Sequence, residues 1–246
     1  MPRYFLQLAY NGTAYHGWQV QPNANSVQAE IEKALATLLR AEVPVVGCGR
    51  TDTGVHAEKY FLHIELEDEA PDWLVYKLNQ ILPEDIAFQK IVEVGPEDHA
   101  RFSATSRSYR YDIHTEKDPF LKNKSAMLHY ELDIDVMNRA SALLLTEKDF
   151  ACFCKAGSDV NTTLCDVTEA RWVKDGHRLH FHISADRFLR NMVRAVVGTM
   201  IDVGRGKISV EEVKEILASK DRSAAGKSAA ACGLYLTEVE YSIDDI

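Results

Sequence analysis

Gly49-Arg50-Thr51-Asp52-Thr53-Gly54-Val55-His56-Ala57 separates two strand-like runs, and the residues on either side of it decide the fold. Upstream, 43–48 is apolar and rich in valine. Downstream, Tyr60, Leu62, Ile64 and Leu66 alternate with Phe61, His63, Glu65 and Glu67, the period-two pattern of a half-buried strand. The stretch is therefore a connection between strands. Gly49 and Gly54 permit sharp turns at its ends and close approach of another molecule to the backbone. Between them a single carboxylate sits among an arginine and two threonines, which is more chemistry than a turn requires. In an extended chain Arg50 and Asp52 project to the same side, where the guanidinium would hold the carboxylate ionised. Asp52 is the candidate reacting group, as nucleophile or base, and His56 is a candidate acid, base or support of the loop.

Working outward, 4–10 reads as a strand ending in the turn Asn11-Gly12, and 15–19 as an aromatic-rich loop. Ser26 caps a helix whose apolar positions Val27, Ile31, Leu35, Leu38 and Leu39 recur at helical spacing. Pro71 opens a second helix through Leu74, Leu78, Ile81 and Leu82, Pro83 stops it, and 86–94 is a strand. The order is β-α-β-β-α-β, that of a ferredoxin-like unit. The second half repeats it without repeating the sequence. It has a strand over 106–114, a helix over 135–145, strands over 166–173 and 178–185 around Asp175-Gly176, and a long helix over 187–203. A capping box, Ser209 with Glu212, starts an additional helix to 218, and a last strand covers 233–241. The predicted class is α+β: two ferredoxin-like units, 1–100 and 101–246, forming one continuous, mainly antiparallel sheet with helices packed on one side.

Composition narrows the function. The 246 residues, 46% hydrophobic and 26% charged, suit a folded globular protein. No apolar run is long enough to cross a membrane, and Met1-Pro2-Arg3-Tyr4 leads straight into a strand, so a cytoplasmic protein is expected. Five cysteines without a Cys-x-x-Cys pair and nine histidines without ligand spacing predict neither disulfides nor a metal site. Motifs for phosphate-cofactor loops or serine nucleophiles are missing, and no cofactor is expected. The net charge of −9 excludes a protein basic all over but permits a local positive surface. From Arg101 to Lys124 six Lys or Arg stand against three Asp or Glu, interleaved with hydroxyls and aromatics, a composition that suits phosphates and bases. Tyr109 and Tyr111 share one face of that strand and Arg110 takes the other. The alternative is a strand edge with solvated arginines and core tyrosines. The helix over 187–203 sorts Leu189, Met192, Val193, Val196, Val197 and Met200 to one face and Arg187, Arg190, Asn191 and Arg194 to the other, either simply solvated or cationic for function. Arg101, Arg107, Arg187 and Arg190 are candidate RNA contacts. The acidic tail, with Glu238, Glu240, Asp244 and Asp245, is expected to lie away from any polyanion.

Asp52-Thr53-Gly54 also matches the triplet of aspartic proteases, in which two carboxylates share a proton. It occurs once here, so a homodimer would have to supply the second aspartate, and Arg50 would ionise a group that a protease keeps half protonated. A homodimeric hydrolase and a non-catalytic RNA-binding protein are two readings that these residues leave open.

The whole stretch from Gly49 to Ala57 closely resembles the signature of the tRNA pseudouridine synthase A family. Five further motifs follow in that family's order: Tyr10-Asn11-Gly12-Thr13-Ala14-Tyr15-His16-Gly17-Trp18-Gln19 with Ser26-Val27-Gln28; Leu78-Asn79 with Leu82-Pro83; Ala100-Arg101-Phe102-Ser103-Ala104 with Tyr109-Arg110-Tyr111; Met192-Val193-Arg194 with Val197-Gly198; and Gly233-Leu234-Tyr235-Leu236. Glu58-Lys59-Tyr60-Phe61 departs from the Gly-Gln-Val that often follows the aspartate in the family. The resemblance implies the pseudouridine synthase fold and isomerisation of uridine in the anticodon stem-loop of tRNA, without cofactor or metal, by a homodimer. It implies that Asp52 is the essential aspartate, Tyr111 the tyrosine stacking on the target base, Arg194 the arginine pairing with the aspartate, and Leu234 an apolar pocket residue. Arg50 joins them as a substrate-binding candidate.

Overall fold

The computed structural model describes residues 1–158, 160–243 and 246, so the tail positions Asp244 and Asp245 lie outside the described residues. The chain divides into two compact units, Met1–Thr105 with Tyr235–Ile246, and Ser106–Leu234.

The first unit runs β1 (Arg3–Tyr10), α1 (Val27–Leu39), β2 (Val46–Gly47), β3 (His56–Glu65), α2 (Leu74–Ile81) and β4 (Ile86–Val94), the expected order. β1 lies between β3 and β4 and is antiparallel to both. Although last in the chain, β9 (Leu234–Tyr241) pairs parallel with the start of β3 through His56↔Tyr235 and Ala57↔Leu236. α1 begins where its cap predicts: Ser26 Oγ accepts the Ala29 N–H at 3.2 Å, and Val27, Ile31 and Leu35 are buried. β2 is shorter than the apolar run 43–48. Pro44 has no N–H to give a ladder, and α1 takes the groups beside it. The Val45 N–H donates to Glu32 Oε1 at 3.2 Å, and the Val45 carbonyl accepts from Gln28 Nε2 at 3.4 Å. β3 differs from its half-buried expectation, because Tyr60 to Ile64 are buried on both faces. A strand flanked on both edges sits inside the sheet, and Phe61 and His63 supply the bulk that its second face needs.

In the second unit β8 (Arg178–Ala185) lies between β5 (Ala104–His114) and β7 (Val167–Asp175), antiparallel to both, and β6 (Ala126–Met127) pairs parallel with the end of β5. The β7–β8 turn holds Gly176 at φ 58°, a left-handed conformation that favours glycine. α3 (Ile134–Ser141) is capped by Asp133 and tightens into a 3-10 turn over Ala142–Leu145, so it is shorter than predicted. α5 (Val210–Ser219) starts with the expected Ser209–Glu212 capping box.

α4 (Met192–Gly204) departs most from the sequence pattern. Asn191 takes a left-handed φ of 64°, so the helix starts five residues later than expected and 187–190 precede it. Its residues are buried nearly all round, with only Arg194 and Asp202 partly exposed. The helix therefore has no cationic face: an apolar stripe read as one-sided extends around the cylinder because neighbours pack on every side. One neighbour is the irregular segment 222–230. A Cβ at Gly198 would fall 1.7 Å from the Lys227 carbonyl oxygen, a clash that outweighs the ~1 kcal/mol by which alanine favours a helix over glycine. Arg222 ties the segment to itself through the Gly226 carbonyl (3.1 Å) and Ser228 Oγ (3.0 Å). No helix is long and apolar enough to cross a membrane among the described residues.

His63 gives the first unit a titratable core. Its Nδ1 accepts the Ala100 N–H at 3.1 Å, and burial, with smaller effects from His99 and Arg3, holds its pKa down to about 4. Between pH 6.5 and 4 the unfolded chain binds a proton that folded His63 refuses, so stability should fall with pH by at most ~1.4 kcal/mol per unit from this group. Urea unfolding at pH 7, 6 and 5 checks this. Wild type should exceed His63→Asn in stability at pH 7, and the gap should narrow as pH falls; a constant gap would refute the assignment.

Candidate active site

Loop 49–55 is held by side chains and backbone from the first motif in the chain and from β3. Tyr60 Oη donates to the Gly49 carbonyl at 2.5 Å, and Tyr10 Oη bonds Thr51 Oγ1 at 2.9 Å. The Trp18 N–H donates to the Thr51 carbonyl at 3.2 Å, and the Gly54 N–H to the Tyr15 carbonyl at 3.3 Å. The Val55 N–H closes a tight turn onto the Asp52 carbonyl at 3.1 Å, with Gly54 at φ 77°. The rings of Tyr10, Trp18 and Tyr60 pack on one another, Trp18 and Tyr60 at 4.2 Å between centroids. Two glycines make the approach possible. A Cβ at Gly12 would meet the Val55 carbonyl oxygen at 1.9 Å, and one at Gly17, whose φ is +90°, would meet the Thr51 carbonyl oxygen at 2.4 Å. The aromatic-rich loop of the sequence is thus the clamp for Asp52, which stays partly exposed.

His56 supports this loop. It is buried, its Nδ1 accepts the Gly12 N–H at 3.1 Å, and its ring stacks on Tyr235 at 4.6 Å. An Nδ1 that accepts carries no proton, so a neutral ring is protonated at Nε2. Arg50 is exposed and, among the described residues, makes no ion pair with Asp52. The shared side expected of an extended chain does not bring the two side chains into an ion pair.

The second unit brings Tyr111 and Arg194 onto one short segment. Tyr111 is 1% exposed and its Oη donates to the Ala230 carbonyl at 2.8 Å. Burial pushes its phenol pKa well above the ordinary value, with Cys232 adding to the rise and Arg194 opposing it, so the hydroxyl remains a donor at neutral pH. Gly233 lies against the ring, where a Cβ would come within 2.8 Å of Cζ. Arg194 Nε donates to the Ala229 carbonyl at 2.8 Å, and the Ala229 N–H returns a bond to the Arg194 carbonyl at 2.8 Å. Leu234 is buried beside Gly233. Sequence reasoning missed 222–230 as the scaffold of this region. The available signal was a glycine, Gly198, inside an apolar helix.

The remaining arginines are not equivalent. Arg107 Nη1 donates to the Asp186 carbonyl at 2.9 Å, Arg187 is partly exposed and Arg190 exposed. Arg101 is exposed in the first unit, 5.4 Å from the Phe102 ring centre. It follows Ala100, which bonds His63, seven residues along β3 from His56, so it stands on the order of 20 Å from the Asp52 loop.

A lone carboxylate on a clamped turn can attack or take a proton at one defined position. Comparison with known proteins gives the family. Residues 8–103 and 140–242 match the family model of tRNA pseudouridine synthase. Proteins called tRNA pseudouridine synthase A from Parabacteroides distasonis, Porphyromonas gingivalis and Bacillus subtilis are 48%, 48% and 41% identical to the chain. The alignments cover 98%, 99% and 95% of it, and 96%, 99% and 97% of those proteins. Fold and matches define an isomerase of the pseudouridine synthase class, which converts uridine to pseudouridine in tRNA. Within that class the chain belongs to the tRNA pseudouridine synthase A family. The protease alternative falls with this finding.

The clamp makes a prediction independent of the reacting step. Gly17→Ala should leave the far-ultraviolet spectrum native and tRNA binding within about threefold, while lowering kcat on the order of 100-fold by displacing Thr51 and its neighbour. Steady-state kinetics at saturating tRNA would measure it, and a wild-type rate would show that the loop tolerates the shift.

Proposed function

We propose that this chain isomerises uridines in the anticodon stem-loop of tRNA, at positions 38, 39 and 40, with Asp52 as nucleophile or base. Tyr111 stacks on the target base, Arg194 pairs with Asp52, Leu234 lines the base pocket, and Arg50 meets the substrate beside the loop. Arg101, Arg107, Arg187 and Arg190 serve as phosphate contacts, and the working form is a cytoplasmic homodimer. The observation that carries this reading is the clamp: backbone and aromatic side chains are committed to holding one short turn, and Asp52 is the only carboxylate on it. Family membership supports it, because the quoted motifs around Asp52, Tyr111 and Arg194 all fall in the family's order.

The reaction breaks the bond between N1 of uracil and C1′ of ribose, turns the freed ring, and joins C5 to C1′. The proton lost from C5 is balanced by one gained at N1. Nothing is oxidised and no group leaves, so the chemistry needs no cofactor. An ionised carboxylate can start it by attack on sugar or base, or by removing a sugar proton. Because the target base must leave its stack, the enzyme has to offer a flat surface in exchange, and a tyrosine ring serves.

Asp52→Asn keeps the shape of the side chain and removes its nucleophilic and basic character. It should fold, bind tRNA within about threefold of wild type, and release no tritium from tRNA carrying 5-tritiated uridine. Wild-type release from this variant would sink the assignment. Mass spectrometry of anticodon-arm fragments after wild-type treatment tests the three positions, and pseudouridine confined to other arms would overturn them.

A further inference from the structure

Among the described residues the most exposed large apolar side chain is Phe120, at 84%. It stands in loop 115–125, where Pro119–Leu121 form a 3-10 turn capped by Asp118. The loop is tied to itself. Asp118 Oδ1 accepts the Phe120 N–H at 2.9 Å, and the Leu121 carbonyl accepts both the Lys124 N–H (3.0 Å) and the Ser125 N–H (3.2 Å). The Arg178 guanidinium lies 3.6 Å from the Asp118 carboxylate, and Asn123 adopts a left-handed φ of 59°. A tied loop that holds a phenyl ring in water forgoes the free energy of burying it.

The charge around that ring is positive. Lys117 and Lys122 are exposed on either side of it and Lys124 follows. Asp118 is engaged by Arg178 and by its own cap, which leaves Glu116 as the exposed carboxylate of the loop. Elsewhere in the basic stretch Arg107 is bonded to the Asp186 carbonyl and Arg110 to the Asp112 carboxylate. Loop 115–125 itself holds three lysines against two carboxylates, one of them paired with Arg178, in a chain of net charge −9.

The loop is rooted beside Tyr111. It leaves β5 three residues after that tyrosine and ends at Ser125, whose carbonyl lies 3.7 Å from Cys232 Sγ. Cys232 is two residues from Ala230, the acceptor of the Tyr111 hydroxyl.

We propose that loop 115–125 binds the RNA substrate next to the target uridine, with Phe120 stacking on an unpaired base and Lys117 and Lys122 meeting the flanking phosphates. A lone aromatic among lysines fits a nucleotide better than a protein surface, whose core would need a contiguous apolar patch. Drawing a uridine out of its stack exposes a face of the adjacent base, and an aromatic ring can cover it. The proposal rests on RNA being the substrate and on the proposed place of Tyr111 at the target base, but not on which residue starts the chemistry.

Binding of tRNA measured on the inert Asp52→Asn protein separates the two. Adding Phe120→Ala should weaken binding on the order of 10-fold, whereas Phe120→Trp should restore it and show indole fluorescence quenched by tRNA. Lys117→Ala with Lys122→Ala should lower the slope of log affinity against log salt by about 2. Affinity of the Phe120→Ala protein within twofold of its parent overturns the proposal while leaving the functional reading intact. A changed elution volume on size exclusion at unchanged tRNA affinity assigns Phe120 to a protein contact and also overturns it. A parent that binds no tRNA brings down the RNA reading itself.

Discussion

Thr51 is gripped from two directions: its hydroxyl bonds Tyr10, and its carbonyl accepts the Trp18 N–H across the space that Gly17 leaves empty. Asp52 is the next residue, so any slack in this grip becomes slack in the carboxylate. The need to hold one short turn accounts for much of the first unit. It explains why β1 ends in Tyr10, why glycines stand at 12 and 17, and why Tyr60 on β3 turns its hydroxyl to Gly49. A carboxylate on a free loop would sample many positions, whereas here folding itself orders the turn that carries it.

The second unit solves a different problem with similar means. There a tyrosine ring and an arginine are fixed by one stretch of backbone. Tyr111 is fixed at its hydroxyl by the Ala230 carbonyl and against its ring by Gly233, while Arg194 reads the adjacent Ala229 carbonyl. One irregular segment thereby sets both side chains. That segment lies against α4 only because Gly198 has no side chain, so a single hydrogen atom in the middle of a buried helix governs parts several residues away. The raised phenol pKa follows from the same burial and keeps the hydroxyl in its donor role.

Charge is distributed to match. The chain is acidic as a whole, yet positive groups gather at specific places, and hydrogen bonding sorts them further. Arg107 and Arg110 are engaged with protein acceptors, whereas Arg50, Arg101, Arg190, Lys117 and Lys122 are exposed. An acidic body with a few exposed cations limits non-specific adhesion to polyanions while leaving defined points for phosphate contact.

Much of this was legible in the residues alone. Strand and helix periods, the Ser26 and Ser209 caps and the stops at Pro83 and Gly176 determined the β-α-β-β-α-β order, because each is a local preference acting within a few residues. The ordered motifs likewise pointed to the family that the comparisons show. What only the tertiary structure decided was the environment of each element. α4 lost its expected cationic face because Asn191 begins it late and neighbours cover it, and β3 became buried on both sides because it lies inside a sheet. Val45 left the ladder because Gln28 and Glu32 of α1 took its hydrogen bonds. Period and propensity depend on near neighbours in sequence, whereas burial, register and pairing depend on residues brought together from tens of positions away, and those only the folded chain supplies.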